Sequence, residues 1–131
     1  MTPMRTDISN LLIIGTGGFF GAISRFLLSG AVATPFDTLT VNVLGSFALG
    51  MLMYETGFLG HVSQRTRMGF GIGFLGSFTT FSAFAVQSYQ MAPTFAILNI
   101  AANVILTLIA VFLGRGVIIL LSRKMEWGVV K

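Results

Sequence analysis

The chain contains no cysteine, one histidine and few charged side chains. The lack of cysteine excludes a disulfide framework, a cysteine-based zinc site and a thiol nucleophile, and His61 alone cannot form a histidine cluster around a metal. Lysine, arginine, aspartate and glutamate make up 9% of the 131 residues, whereas 54% are hydrophobic. A soluble domain of this size needs a charged surface, which so few side chains cannot provide. The composition therefore indicates a membrane protein.

The few charges are also unevenly distributed along the chain. Between Arg67 and Arg115, 47 consecutive residues include no lysine, arginine, aspartate or glutamate. About 20 helical residues cross the roughly 30 Å core of a bilayer, so this stretch has room for two spans. We expect an all-α integral membrane protein with one transmembrane domain, residues 1–131. Its four spans are predicted at about residues 9–30, 38–54, 68–90 and 94–116.

One glycine motif invites a nucleotide-binding interpretation, which its context rejects. Gly71–Gly76 reads GIGFLG and fits the G-x-G-x-x-G spacing of a dinucleotide-binding turn. That turn needs a preceding strand and an acidic residue about 20 positions later, but no aspartate or glutamate occurs between Glu55 and Glu126. Nor does the chain show a nucleophile–base pair, paired carboxylates or an HExxH motif. We therefore expect no enzymatic activity, and we interpret the glycines of the spans as helix-packing positions, except Gly76.

Two ladders of neutral polar residues run along predicted spans. Each has the i, i+4, i+8 spacing that places three side chains on one helical face. The second span carries Thr38, Asn42 and Ser46, and the fourth carries Asn99, Asn103 and Thr107. Such ladders either bond helices to each other or line a polar track. Because no carboxylate is embedded in the spans, a track of this kind suits an anion better than a cation or proton.

Aromatic residues recur along the third span and change character along it. Phe70 and Phe74 have the spacing of a packing stripe, whereas Phe81 and Phe84 alternate with hydroxyl residues. The edge of an aromatic ring is positive, so ring edges and hydroxyl donors together suit a small anion. The run Gly76–Thr80 combines glycine with hydroxyl residues that compete for backbone hydrogen bonds, which predicts a break whose freed carbonyls can hold a cation.

Arg25 is the basic residue within the first predicted span. One interpretation is that its side chain extends to the membrane surface from near the end of the span. The other is that its charge draws anions into a vestibule. The sequence leaves both interpretations open.

Three segments resemble the Fluc (CrcB) family of fluoride channels, and the resemblance extends over nearly the whole chain. They are Gly21–Arg25 (GAISR), Thr38–Gly45 (TLTVNVLG) and Gly73–Phe84 (GFLGSFTTFSAF). The resemblance implies a passive, highly selective channel that exports cytoplasmic fluoride across the prokaryotic plasma membrane. It also implies an antiparallel, dual-topology dimer of four-span subunits, with the third span broken at mid-membrane and two pores between the subunits.

The family's functional residues carry over to matching positions of this chain. The resemblance implies that Phe81 and Phe84 contact fluoride by their ring edges, that Asn42 is the pore asparagine, and that Thr80 and Ser82 are hydroxyl donors. It further implies that the carbonyls of Gly76 and Thr79 from both subunits surround one structural sodium ion at the two-fold axis. Arg25 matches the arginine of the family's first span. The chain departs from the family pattern at Ser77, Gln87 and Asn99.

The distribution of basic residues bears on topology and on partners. Four spans would place seven basic residues on one side and only Arg25 on the other; the seven are Arg5, Arg65, Arg67, Arg115, Arg123, Lys124 and Lys131. This bias favours a single orientation, so the antiparallel partner is either a second copy, which we expect, or an oppositely oriented sister subunit. The sequence leaves two other functions open, namely a proton-coupled exporter of cationic compounds and a non-conducting membrane assembly protein.

Overall fold

The computed structural model describes residues 8–32 and 36–129, without the side chains of Thr56, Phe58 and residues 124–129. Within these ranges the regular structure is helical. Six α-helices follow in order: α1 (Ile8–Ala31), α2 (Asp37–Tyr54), α3 (Gln64–Thr66), α4 (Gly76–Phe78), α5 (Ser82–Gln90) and α6 (Pro93–Val129). A π-helical turn, Glu55–Leu59, extends α2, and a second π-helical segment, Arg67–Leu75, joins α3 to α4 without a gap.

Three helical stretches of the described chain are long and apolar enough to cross a membrane. They are Ile8–Ala31, Gln64–Gln90 and Pro93–Arg123. The 18-residue α2 is not among them, because Asp37, Thr38 and Asn42 make it more polar. Many large apolar side chains of the helices are exposed, for example Phe26, at 78%, which is the surface expected of a chain embedded in lipid or covered by a partner.

Helix α1 packs on the Arg67–Leu75 segment through glycines on both sides. A Cβ atom added at Gly17 would overlap the carbonyl oxygen of Gly69, and one added at Gly21 would overlap that of Phe74. In the reverse direction, a Cβ atom at Gly73 would lie 2.5 Å from the carbonyl oxygen of Ile14. The two backbones therefore meet directly, as small residues allow between helices in lipid.

We expect Gly17→Ala to lower the free energy of unfolding by about 1–3 kcal/mol, because the added methyl group would overlap backbone atoms that cannot easily move. Gly15 provides a matched control on the same helix, since no described atom lies within 4 Å of a Cβ atom placed there. Gly15→Ala should leave the thermal unfolding midpoint in detergent unchanged or slightly raised. Equal midpoints for the two variants would contradict the close packing at Gly17.

Helices α2 and α6 form the second close pair. Gly50 of α2 lies against the backbone of Val111, and Gly114 of α6 lies against the backbone of Phe47. The guanidinium carbon of Arg115 stands 5.4 Å from the centre of the Tyr54 ring, near the end of α2. This pair brings the polar faces of α2 and α6 together.

The connection between α2 and α3 is held by one carboxylate. Glu55 accepts hydrogen bonds from the backbone N–H groups of His61 (2.9 Å) and Val62 (3.1 Å).

Among the basic residues that bias the topology, Arg5 and Lys131 lie outside the described residues, as does the side chain of Lys124.

Candidate functional site

The helix of residues 64–78 is interrupted at Thr79–Phe81, which we call the break. Thr79 has an extended backbone (φ −75°, ψ 157°), and α5 begins at Ser82. The hydroxyl of Thr80 accepts a hydrogen bond from the N–H of Ala83 (3.1 Å) and so caps the new helix. Gly76 is itself helical (φ −63°, ψ −30°), so the break begins three residues after the glycine that suggested it.

Asn42 of α2 holds the break through both polar atoms of its side-chain amide. Its Oδ1 accepts from the backbone N–H of Thr80 (2.8 Å), and its Nδ2 donates to the backbone carbonyl of Thr80 (3.0 Å). The side chain thus replaces the helical partners that Thr80 would otherwise have. Because the Thr80 N–H bonds to Asn42, the Gly76 carbonyl lacks the bond that a continuous α-helix would give it.

The two polar ladders of the sequence meet at Asn42. Its Nδ2 also donates to Oδ1 of Asn103 (3.1 Å), and Nδ2 of Asn103 donates to the backbone carbonyl (3.1 Å) and Oδ1 (3.2 Å) of Asn99. Nδ2 of Asn99 then donates to Oγ of Ser88 (3.0 Å). Helix-to-helix hydrogen bonding, one of the two interpretations of the ladders, therefore does occur.

Ser88 takes part in this network although the sequence did not predict it. It is buried, with 7% of its surface exposed, although it lies on the short helix α5, most of which is exposed. The sequence alone did not predict this role, because the hydrogen-bond partner of Ser88, Asn99, lies on another helix.

A groove of about 380 Å³ collects many of the predicted site residues. Those on its wall are Asn42, Ser46, Gly76, Thr79, Thr80, Phe81, Phe84, Asn103 and Thr107. No carboxylate is among the described residues that line it. Arg25 and Asn99 lie off this wall, whereas Thr38 and Ser82 line a second cavity of about 650 Å³ at the start of α2.

The break divides the phenylalanine stripe into two parts. The rings of Phe70, Phe74 and Phe78 are stacked in sequence, with centres 5.2 and 5.8 Å apart and planes within 10° of parallel. The rings of Phe81 and Phe84 are 5.8 Å apart but tilted by 60°. Phe81 is 80% exposed. The first three rings are packing surface, and the last two face the groove.

The hydroxyl groups of the groove differ in whether their protons are already donated to an acceptor within the chain. Thr79 donates to the carbonyl of Leu75 (2.9 Å), and Thr107 donates to the carbonyl of Asn103 (2.5 Å). Within the described part of the chain, no group accepts the hydroxyl proton of Ser46 or of Thr80. These two protons are the ones available to a ligand in the groove.

Arg25 is partly buried, and its guanidinium points at the break. Its Nη1 lies 3.4 Å from the carbonyl oxygen of Thr79. A charged donor therefore faces the chain at the point where the helix stops. This contact differs from the extension to the membrane surface that was one of the two expectations.

The second cavity contains a hydrogen-bonded group around Gln87. Thr38 donates to Oε1 of Gln87 (2.5 Å), and Nε2 of Gln87 donates to Asp37 (2.7 Å). The carboxylate of Asp37 thereby fixes the orientation of the Gln87 amide. The hydroxyl of Thr38 is consequently engaged and does not face open space.

Residues 12–115 match the model of the family described as "CrcB-like protein, Camphor Resistance (CrcB)". The chain belongs to the CrcB family. It is 50% identical to the "Fluoride-specific ion channel FluC 2" of Methanosarcina acetivorans over 124 residues, which cover 95% of this chain and 98% of that protein. The protein of the same name in Methanosarcina barkeri is 47% identical, with the same coverage. The "Fluoride-specific ion channel FluC" of Methanocaldococcus jannaschii is 43% identical over 82% of this chain and 93% of its own.

Membership of the CrcB family confirms the resemblance seen in the sequence. The named relatives are ion channels, not enzymes, and this agrees with the lack of catalytic motifs. Together with the membrane-length helices, it shows a multi-pass membrane protein.

Proposed function

We propose that this protein is a passive, highly selective fluoride channel that exports cytoplasmic fluoride across a prokaryotic plasma membrane. The observation that carries the proposal is the groove itself, in which the Phe81 and Phe84 rings lie beside neutral hydroxyl groups and no carboxylate. The names of relatives at about 50% identity support the choice of fluoride among anions.

The groove suits a small, strongly hydrated anion. Conduction requires ligands that replace water but hold the ion weakly enough to release it. The positive ring edges of Phe81 and Phe84 and the available hydroxyl protons of Ser46 and Thr80 provide such ligands without a full countercharge. Ser82 lines the second cavity and extends the polar path toward the start of α2, where Thr38 supports the cavity wall through its hydrogen bond to Gln87.

Asn42 has a different part in this proposal from a free anion donor. Both N–H groups of its amide are engaged, one with Thr80 and one with Asn103. Its contribution is to hold the break in the conformation that places Phe81 on the groove wall. Asn103 and Thr107 continue the polar wall on α6.

A groove open along one side needs a second wall to become a pore. We propose that an antiparallel, dual-topology dimer supplies this wall and forms two pores between subunits, with a second copy of this chain as partner. An oppositely oriented sister subunit is the alternative that the bias of basic residues would favour. In this arrangement α2 is a fourth span, its polar face covered by α6, the break lies at mid-membrane, and lipid covers the exposed apolar side chains.

The break has oxygen atoms that fit a structural sodium ion. The Gly76 carbonyl lacks its usual helical partner, and among the described residues the Thr79 carbonyl accepts only the 3.4 Å contact from Arg25. Backbone carbonyls that a broken helix leaves without a partner coordinate sodium in membrane proteins. Gly76 and Thr79 would hold the ion together with the same residues of the partner subunit, and the ion would neutralise the carbonyl dipoles gathered there.

Two other functions fit the groove less well. A proton-coupled exporter of cationic compounds needs a carboxylate in the membrane to bind its substrate and proton, and the described lining of the groove has none. A non-conducting assembly protein would need its polar residues only as bonds between helices. The hydroxyl protons of Ser46 and Thr80, which no described group accepts beside the Phe81 ring, are not required for such bonds.

Ion efflux from liposomes that contain the purified protein tests this function. We expect fluoride to leave far faster than chloride from vesicles loaded with both ions. Protein-free vesicles provide the background leak. Equal and negligible leak of both ions would overturn the proposal, and equal, rapid efflux of both would overturn its selectivity.

A further inference from the structure

We propose that Ser88 and Asn99 are positioning residues that hold the break in place through a one-way chain of side-chain amides. The chain runs from Thr80 through Asn42, Asn103 and Asn99 to Ser88. It rests on the proposed function insofar as the break positions the fluoride-contacting rings. Ser88 and Asn99 do not line the groove and act only through the chain.

The backbone at Thr80 fixes the direction of every bond in the chain. A backbone N–H only donates and a carbonyl only accepts, so Asn42 must turn Oδ1 to the N–H of Thr80 and Nδ2 to its carbonyl. Asn103 must then present Oδ1 to Asn42 and donate from Nδ2. Asn99 in turn accepts from Asn103 and donates to Ser88. Each amide thus has one permitted orientation.

This chain is important for α5, because the other side-chain bonds from α5 to neighbouring helices in the described residues are those of Gln87 to Thr38 and Asp37. The helix has nine residues, too few to be stable alone. Its one buried residue is Ser88, whereas Val86 is 56% and Tyr89 91% exposed. Hydrogen bonds attach both ends, at Thr80 through Asn42 and at Ser88 through Asn99. Since bonds in series polarise one another, loss of the last acceptor weakens the bond at Thr80.

The test combines ion efflux with amide exchange at the break. We expect Ser88→Ala and Asn99→Leu each to slow fluoride efflux about fivefold, the factor expected for one neutral hydrogen bond. The ratio of fluoride to chloride efflux should also fall, because a displaced groove wall changes the ligands that each working pore presents to the ion. A merely structural effect would reduce the number of working channels and leave that ratio unchanged. The double variant should lose no more than the worse single variant, because both act through one chain.

Amide exchange makes the inference independent of conduction. Peptides that contain Thr80 should exchange deuterium about fivefold faster in Ser88→Ala than in the wild type. Ser122→Ala is the matched control, since among the described residues that serine donates only to Ile119 of its own helix, and it should alter neither measurement. Wild-type exchange in Ser88→Ala, or losses that multiply in the double variant, would overturn the inference. Absence of fluoride efflux in the wild type would overturn the proposed function alone.

Discussion

Replacement of Phe81 or Phe84 by isoleucine is expected to slow fluoride efflux by about 30-fold. Isoleucine keeps the apolar bulk but lacks the positive ring edge that faces the groove. A desolvated cation over a ring face gains about 2 kcal/mol, and we take the same order for an anion at the positive ring edge, which corresponds to that factor. Since Phe81 is 80% exposed, its loss leaves no cavity in the described chain, and the variant should purify in the same oligomeric state as the wild type. Efflux from liposomes and size-exclusion chromatography check the two expectations.

Phe95 offers a matched control for these two variants. It lies on α6, is 66% exposed and is not part of the groove wall. Phe95→Ile should therefore conduct fluoride at the wild-type rate. If Phe81→Ile and Phe84→Ile also conduct at that rate, the two rings belong to the packing stripe with Phe70 and Phe74, and the aromatic part of the proposed path is wrong.

Replacement of Asn42 by leucine is expected to have the larger effect on the folded protein. The N–H and carbonyl of Thr80 would both lose their partner in a residue that is only 8% exposed. At about 1–3 kcal/mol for each buried group left unpaired, the expected loss of stability is about 2–6 kcal/mol. The thermal midpoint in detergent should fall, and fluoride efflux per mole of protein should fall at least 100-fold, on the order set by tenfold per 1.4 kcal/mol.

Asn10 provides the matched asparagine for this experiment. It lies in the first turn of α1, and its side chain forms no hydrogen bond within the described residues. Asn10→Leu should leave both the midpoint and the efflux near the wild-type values. A wild-type midpoint in Asn42→Leu would show that the break holds its conformation without the Asn42 amide, which would contradict the positioning role of that side chain.

The sequence predicted those features that depend on residues close together in the chain. The charge-free stretch and its apolar runs predicted membrane-length helices, and the glycines predicted close helix contacts at Gly17, Gly21 and Gly50. The i, i+4 spacing placed Asn42 and Asn103 on polar faces that do face each other. Gly15 departs from the packing interpretation, because no described atom lies near it.

The structure added what depends on contacts between distant parts of the chain. Glycine and hydroxyl residues indicated where the helix is weak, but they did not predict that the break begins at Thr79. The break lies there because Asn42 forms hydrogen bonds with the backbone of Thr80, a residue 38 positions further along the chain. Ser88 gave no signal of its own, since its partner Asn99 lies on another helix. Likewise, spacing alone cannot show that the amide of Asn42 is fully engaged. Local patterns predict faces of helices, whereas the partner of each polar group depends on how those faces meet.

The central claim is that the protein passes fluoride passively and selectively. The most direct test is the reversal potential of wild-type protein in a planar bilayer, with a tenfold fluoride gradient, equal chloride on both sides and equal pH. A passive fluoride-selective channel should reverse near the fluoride equilibrium potential, about 59 mV for a single charge at a tenfold gradient. A reversal potential near zero, or one that follows an imposed gradient of chloride or of pH, would contradict this claim.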